Sequence, residues 1–283
     1  MIRRPPRSTL SPSSAASDVY KRQIYTSTDG SSLLSGNFTT SNASTLKRYL
    51  RAYDDDDAEN IINYVRGIDV DVCLDSDEGT CNSSGHRNRE LTIGGETHIW
   101  KLGDIVYSTP RILSHFPLNL YHILYQDNTY DSFIQDTYSQ KVCSNNPSQT
   151  CTQDSDCSGG SCIYKHKDYL FVGANDGMLH CFYLGKVNDK NPTTSEPCLK
   201  AELEGTDIAK ELWAYIPMNA LPYLKYLAYP DYCHIYYVDQ RPMLFDASIN
   251  GTATAAKSKN SWRTILIGEM RFGGSPNPPS NAP

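Results

Sequence analysis

The sequence predicts an all-β protein with a short helical segment near its N-terminus. Short apolar runs begin at about residue 101 and are separated by Gly and Pro, as in sandwiches, barrels and propellers. One pair of runs, at 169–184, flanks an Asn-Asp-Gly turn, which is a strong hairpin signal. Twenty Tyr against seven Phe and three Trp indicate many half-exposed aromatic positions of the kind found in sheets.

Size, charge and cysteine content exclude several classes of protein. The 283 residues are 39% hydrophobic, which is enough for a sizeable core and too much for a disordered chain. The net charge of -6 argues against a nucleic-acid binder, and no apolar run is long enough to span a membrane. Nine Cys favour an oxidising compartment.

The first 23 residues differ from the rest of the chain. They carry five basic residues and one acid, with no apolar run and no periodicity. A transit peptide has this composition, but the string also resembles a translated sequencing-adapter read-through. We therefore predict that 1–23 is a disordered artefact, and that the natural protein is a fragment whose true start is missing.

Residues 24–100 are predicted to be a linker followed by two short helices and an acidic loop. Ser, Thr, Gly and Asn dominate 24–44. Apolar residues recur at helical spacing within 45–66, and Gly67 is a typical helix stop. The run Asp54–Asp57 stands at the start of the second helix, where carboxylates complement the helix dipole. A metal site is the alternative for these four residues.

Residues 101–283 are predicted to hold short antiparallel strands and one further helix at 221–228. Segments expected to be extended are "DIVYSTPRIL", "YLFVGANDGMLHCFYL", "ELWAYIPM", "HIYYVDQRPMLFDASI" and "WRTILIGEM". The "FVGANDGMLHCF" hairpin and the later "LWAY" resemble the blade signature of quinoprotein-like propellers. Because such blades need about 40 residues each, this part of the chain predicts an incomplete β-propeller.

Four cysteines lie within 20 residues of each other, inside an insertion at 139–165. Cys143, Cys151, Cys157 and Cys162 are spaced too widely for most zinc sites, so we predict a small insertion with two disulfides and leave its three pairings open. Cys73 and Cys81 are predicted to close another loop. Cys181 lies in the middle of a strand and is predicted to be buried and unpaired.

Two acidic clusters are weak metal candidates. Asp75 and Asp77 belong to the acidic stretch 54–78, which holds ten acids and one base. Asp154 and Asp156 fall at positions 1 and 3 of an EF-hand-like loop, but its last position is Lys165, where calcium requires a bidentate Glu. Solvated turn residues are the alternative for both clusters, and no ligand is assigned with confidence from the sequence.

No catalytic motif stands out, and the sequence predicts that the protein is not an enzyme. Zincin, nucleophile-elbow, Walker A and dinucleotide-binding patterns are absent, and the seven His show no ligand spacing. A quinone-dependent dehydrogenase is the alternative that the blade signature leaves open, although fold alone does not define function. A generic secreted propeller that binds carbohydrate or protein is another.

Four segments in order resemble the PilC/PilY family of type IV pilus tip adhesin and assembly proteins. They are "WKLGDIVYSTPRIL" (Trp100–Leu113), "FVGANDGMLHCF" (Phe171–Phe182), Glu211–Gly251 and "WRTILIGEMRFGG" (Trp262–Gly274), preceded by "INYVRGID". The resemblance covers roughly residues 57–283. It implies a surface-exposed β-propeller that acts in pilus assembly, retraction control and adhesion.

The resemblance also implies a location, partners and a cofactor. The protein would be exported through the periplasm of a bacterium to the pilus tip, where minor pilins and a host or surface ligand are its partners. Calcium binding is expected in the full-length family proteins. Their calcium loop lies beyond the "MRFGG" segment, and this chain ends at Pro283, so no calcium ligand is assigned to a numbered residue here.

Overall fold

The fold in our computed structural model is a mixed β-sheet accompanied by a few helices. The structure describes residues 22–68, 86–165, 167–190, 200–204, 207–249 and 257–274. Its strands are β1 (Ile24–Thr26), β2 (Glu90–Ile93), β3 (Glu96–Ile99), β4 (Arg111–Leu113), β5 (Lys141–Cys143), β6 (Asn146–Thr150), β7 (Cys162–Tyr164), β8 (Asp168–Gly173), β9 (Leu179–Lys190), β10 (Lys200–Glu204), β11 (Glu211–Ile216), β12 (Met243–Ser248) and β13 (Trp262–Ile267).

A six-stranded sheet organises the molecule. Its strand order is β1-β11-β9-β8-β4, and β10 pairs with β9 outside this path. The predicted hairpin is confirmed, because Tyr169 pairs with Tyr183 and Gly173 with Leu179 in an antiparallel register. β1 runs parallel to β11, so the sheet is mixed.

Three smaller sheets surround the large one. β12 pairs with β13, β2 pairs with β3, and β6-β5-β7 forms a three-stranded sheet within the cysteine-rich insertion. The described ranges contain no closed barrel and no closed propeller ring. The propeller therefore stays a prediction, and the all-β class is too narrow because helices contribute many of the buried side chains of the core.

The helices predicted in 45–66 are confirmed as α1 (Ala43–Leu50) and α2 (Asp55–Arg66). The Asp54 side chain accepts a hydrogen bond from the Asp57 backbone N–H at 2.8 Å, which caps α2. Gly67 ends α2 with a φ of 87°. The four aspartates therefore serve as a helix start, in agreement with the dipole argument.

Other elements differ from the sequence prediction. The helical region α3 (Tyr121–Leu124), α4 (Asn128–Ile134) and a π-helical turn to Ser139 was not predicted. Asp127 caps α4, and its buried residues Tyr130 and Ile134 continue to Tyr138 at four-residue spacing. The predicted helix near 221–228 is a 3-10 helix followed by α5 (Leu224–Leu227).

Some segments predicted as strands are mostly irregular, and one predicted loop contains a strand. Of "DIVYSTPRIL" only Arg111–Leu113 is extended in the sheet, and residues 234–238 form no strand. β1 lies in the region expected to be a linker. β1 has only three residues, which is too short for an alternating apolar pattern to show in the sequence. Its pairing with β11 makes it a strand.

The buried side chains form a main core and an aromatic core. The main core packs α1 and α2 against β1, β11 and α5, and includes Leu46, Leu50, Ile62 and Leu221. In the aromatic core, Tyr130 and Tyr138 both donate to the fully buried Asp246 carboxylate at 2.7 Å. No helix in the described part of the chain is long and apolar enough to cross a membrane.

Candidate functional site

A turn between β8 and β9 forms the centre of the candidate site. Asn175, Asp176 and Gly177 make this turn, and the Gly177 φ of +93° favours glycine. A Cβ at Gly177 would lie 2.5 Å from Leu224 Cδ2, so the turn also packs closely against α5. Local sequence therefore places two polar side chains at a fixed, buried position.

Asn175 joins three parts of the chain. Its backbone N–H donates to the Asp104 carbonyl at 3.0 Å, and its Oδ1 accepts from the Tyr237 N–H at 3.0 Å. Its Nδ2 donates to Asp104 Oδ2 at 3.1 Å, and the same oxygen lies 2.9 Å from His234 Nε2. The exposed Asp104 carboxylate is thereby held between an amide and an imidazole.

Asp176 begins a row of buried charges. One of its oxygens accepts from the Gly103 N–H at 3.0 Å, and both lie 3.1 Å from His180 Nε2. The other ring nitrogen, His180 Nδ1, lies 2.7 Å from Glu211 Oε1. His180 is 1% exposed, so its imidazole is enclosed between the carboxylate of Asp176 in the turn and that of Glu211 in β11.

Arg22 completes this row at the far side of Glu211. Its Nε and Nη2 donate to the two Glu211 oxygens at 2.6 and 2.8 Å, and Nη1 donates to the Arg66 carbonyl at 3.0 Å. Arg22 and Gln23 belong to the segment predicted to be an artefact, and residues 1–21 lie outside the described ranges. The contacts among Asp176, His180 and Glu211 do not depend on Arg22.

The buried row shifts the pKa values of His180 and Glu211. Burial alone lowers the pKa of His180, but the Asp176 and Glu211 carboxylates outweigh burial and raise it to about 9. Burial alone raises the pKa of Glu211, but hydrogen bonds from Arg22 and His180 hold it well below its usual range. The opposite charges in the row therefore balance one another, and the hydrogen bond between His180 and Glu211 connects β9 to β11.

A cavity of about 490 Å³ opens beside the turn. Its lining includes Tyr64, Arg87, Trp100, Asp104, Asn175 and Tyr232. Aromatic rings, guanidinium groups and carboxylates thus share one concave surface. Small ligands usually bind in concave sites where a few polar groups converge.

The cysteine-rich insertion is a separate small module. Cys143 bonds to Cys157 and Cys151 bonds to Cys162, which resolves the pairing that the sequence left open. The sulfurs of Cys143, Cys151 and Cys157 lie within 4.8 Å of one another, but all three are in disulfides and supply no thiolate for a metal. As predicted, Cys181 is free and buried, while the free Cys233 is exposed.

The two aspartates of the insertion hold its backbone. Asp156 Oδ2 accepts from the Thr152 and Gln153 N–H groups at 2.8 and 3.1 Å, and these bonds lower the pKa of Asp156. Asp154 Oδ1 accepts from the Cys162 N–H at 2.6 Å. The twelfth loop position, Lys165, donates its Nζ to Gln140 at 2.8 Å. This donor set does not fit a calcium loop.

The sequence predicted only the turn of this site. In the structure the His180 ring also stacks on Phe182, with centroids 5.6 Å apart. The roles of Asp104, Glu211 and His234 were missed, because each meets the turn from a distant part of the sequence. The predicted candidates Asp75, Asp77, Cys73 and Cys81 lie outside the described residues.

Fold and site together define a disulfide-containing, sheet-based protein with a polar and aromatic cavity. Part of the sequence is similar to two curated proteins. A type IV pilus biogenesis factor PilY1 homolog of Xylella fastidiosa is 38% identical over 107 residues, which are 38% of this chain and 5% of that protein. The type IV pilus biogenesis factor PilY1 of Pseudomonas aeruginosa is 32% identical over 108 residues, 37% of this chain and 6% of that protein.

These similarities confirm the PilC/PilY recognition made from the motifs. The matched stretch is similar to proteins of that name, and it spans about one twentieth of the length of the curated relatives. No family model matches the chain. No solved structure matches it either.

Proposed function

We propose that this chain acts in type IV pilus biogenesis as part of a larger pilus-associated protein, and that it acts by binding. The observation that carries the proposal is the similarity to proteins named PilY1 in two bacteria. Both names state a role in type IV pilus biogenesis. Binding of a surface ligand is the activity that the polar cavity beside Asn175 supports.

The finer features of the proposal concern location and partners. We place the protein at the pilus tip and cell surface, reached through the periplasm, with minor pilins and a surface ligand as its partners. Two disulfides support an oxidising location, because such bonds persist mainly outside the cytosol. Adhesion follows from this location as the proposed second activity.

A deletion and complementation experiment tests the biogenesis role. Deleting the full-length gene is expected to reduce surface pili, twitching motility and attachment, and the wild-type gene is expected to restore all three. Unchanged piliation and motility in the deletion strain would contradict the proposal. Quinone-dependent dye reduction by the purified full-length protein would favour the dehydrogenase alternative instead.

A second experiment distinguishes a role in pilus assembly from a role in adhesion. The exposed Trp100 lines the cavity, and Trp100→Ala in the full-length gene is expected to leave pilus number unchanged while reducing attachment. Tyr125→Ala, at an exposed aromatic outside this lining, is the matched control. Normal attachment of the Trp100→Ala strain would show that the cavity takes no part in adhesion. The proposed role in pilus assembly would be unaffected by that result.

A further inference from the structure

We propose that the cavity beside the β8–β9 turn binds a neutral saccharide of one or two hexose units. Its volume of about 490 Å³ lies within the roughly 300–1,000 Å³ typical of small-ligand sites. The inference goes beyond the role in pilus biogenesis, and its test does not depend on that role.

Aromatic rings provide the apolar part of the site. Tyr64, Trp100 and Tyr232 line the cavity, and Trp100 is 56% exposed although it carries the largest ring in the lining. An exposed ring beside a concave polar surface is typical of a ligand contact, because its flat apolar face is otherwise left in water. The C–H face of a pyranose ring matches such a surface in shape and polarity.

The charges in the lining favour a neutral ligand. Three basic residues and three acidic residues contribute to it: Arg87, Arg89, Lys101, Glu90, Asp104 and Asp176. The lining therefore carries no net formal charge, so a ligand with a net charge of either sign gains no overall electrostatic attraction from it. A hydroxyl both donates and accepts, so a polyhydroxylated ring can satisfy guanidinium and carboxylate groups at once.

The polar groups are held in place before any ligand binds. The Arg87 guanidinium lies 4.4 Å from the Tyr232 ring centroid and donates to Tyr64 Oη at 3.3 Å. Asp104 is held by Asn175 and His234 at 3.1 and 2.9 Å. Side chains that are already ordered lose little conformational entropy when a ligand binds. Several individually weak contacts can therefore add up to measurable affinity.

Ligand-observed NMR on the purified chain tests the proposal. The probes are the methyl glycosides of glucose, galactose and mannose, together with maltose and lactose. We expect saturation transfer to at least one of them, with a Kd of about 1 mM or tighter. Glucuronate and glucosamine, which share the ring but carry a charge, are expected to bind at least ~10-fold more weakly.

Two variants locate the binding to the cavity. Trp100→Ala is expected to weaken the Kd roughly 10-fold, and Asp104→Asn to weaken it by a smaller factor. Tyr125→Ala, outside the lining and 73% exposed, is the matched control and should leave the Kd unchanged. Thermal melting curves show whether each variant is folded. If Trp100→Ala does not fold, Asp104→Asn still tests whether the saccharide binds in the cavity.

Three results would overturn the inference. One is the absence of saturation transfer to all five neutral probes. Another is tighter binding of glucuronate or glucosamine, which would make the cavity a site for ions. The third is saccharide binding that neither Trp100→Ala nor Asp104→Asn weakens, which would place the ligand elsewhere.

Discussion

The fold raises the pKa of His180 well above its ordinary value. Its imidazole faces Asp176 and Glu211, and Glu211 in turn faces Arg22. The pKa of His180 in the folded protein is about 9, above the ordinary 6.5, so the charged imidazole stabilises the fold. That contribution is complete below about pH 6.5 and is lost as the pH rises towards 9.

We expect His180→Gln to lower the free energy of unfolding by roughly 3 kcal/mol at about pH 6, and by much less at about pH 9.5. Urea denaturation at both pH values measures the difference. His115→Gln is the control, because the His115 ring stacks on Tyr164 rather than between two carboxylates. Equal losses for His180→Gln at both pH values would contradict the assignment.

Asp154 and Asp156 lead to a prediction about calcium. Both carboxylates already accept backbone hydrogen bonds, and Lys165 takes the position of the last calcium ligand. We therefore expect Ca²⁺ to bind this chain with a Kd weaker than about 1 mM, since fewer carboxylate ligands weaken such sites. Isothermal calorimetry measures the affinity. Sub-micromolar binding that Asp154→Ala with Asp156→Ala abolishes would contradict the prediction.

Among the elements, the cysteine-rich insertion depends most on covalent bonds. β6 is exposed along its whole length, so this small sheet has little core of its own. We expect Cys151→Ser with Cys162→Ser to destabilise the insertion by about 2–4 kcal/mol while the large sheet stays folded. Hydrogen exchange resolved by segment measures both effects.

Cys233→Ser is the control for this prediction, because Cys233 is exposed and free. Alkylation without reduction, followed by mass spectrometry, checks the pairing itself. Labelling of all four insertion cysteines in the folded protein would show that the disulfides are absent.

The β8–β9 turn is the element whose geometry the candidate site requires. Gly177→Ala adds a methyl group at a φ of +93° and 2.5 Å from Leu224. We expect a loss of more than ~2 kcal/mol in the free energy of unfolding, from backbone strain and overpacking together. Gly94→Ala, at a φ of +66° with open space around it, should cost only about 1 kcal/mol.

Chemical denaturation of the two glycine variants separates strain from packing. A loss for Gly177→Ala no larger than that for Gly94→Ala would show that the turn does not pack tightly against α5. In that case Asn175 and Asp176 would not be held by the turn.

At the scale of the whole molecule, an apolar surface is left open. Several large apolar side chains of the segment 112–124 are exposed: Ile112, Phe116, Leu120, Ile123 and Leu124. Exposed apolar surface favours association in water. We expect the chain to self-associate as its concentration rises, and Ile123→Lys with Leu124→Lys to reduce this.

Light scattering after size-exclusion chromatography measures the association. Ser132→Lys with Gln135→Lys adds the same charge at exposed polar positions and is the control. If both pairs of substitutions reduce association equally, charge repulsion is responsible and the apolar surface is not.

The elements that the sequence predicted well are those defined by neighbouring residues. The Asn-Asp-Gly hairpin, the capped helix at Asp54, and the free buried Cys181 follow from turn chemistry, helix capping and the apolar pattern around one residue. The helices of 121–139 also had a local signal, in Asp127 and the spacing of Tyr130, Ile134 and Tyr138.

By itself, the sequence determined the similarity to pilus biogenesis proteins, the hairpin, the N-terminal helices and the presence of a disulfide-bonded insertion. Only the tertiary structure decided the parallel addition of β1, the disulfide pairing, and the site where Asp104, His180 and Glu211 meet the turn. Turns and helices depend on residues a few positions apart, and such spacing is visible in the sequence. His180 and Glu211 are 31 positions apart and Asn175 and Asp104 are 71 apart, so packing of the sheet brings them together.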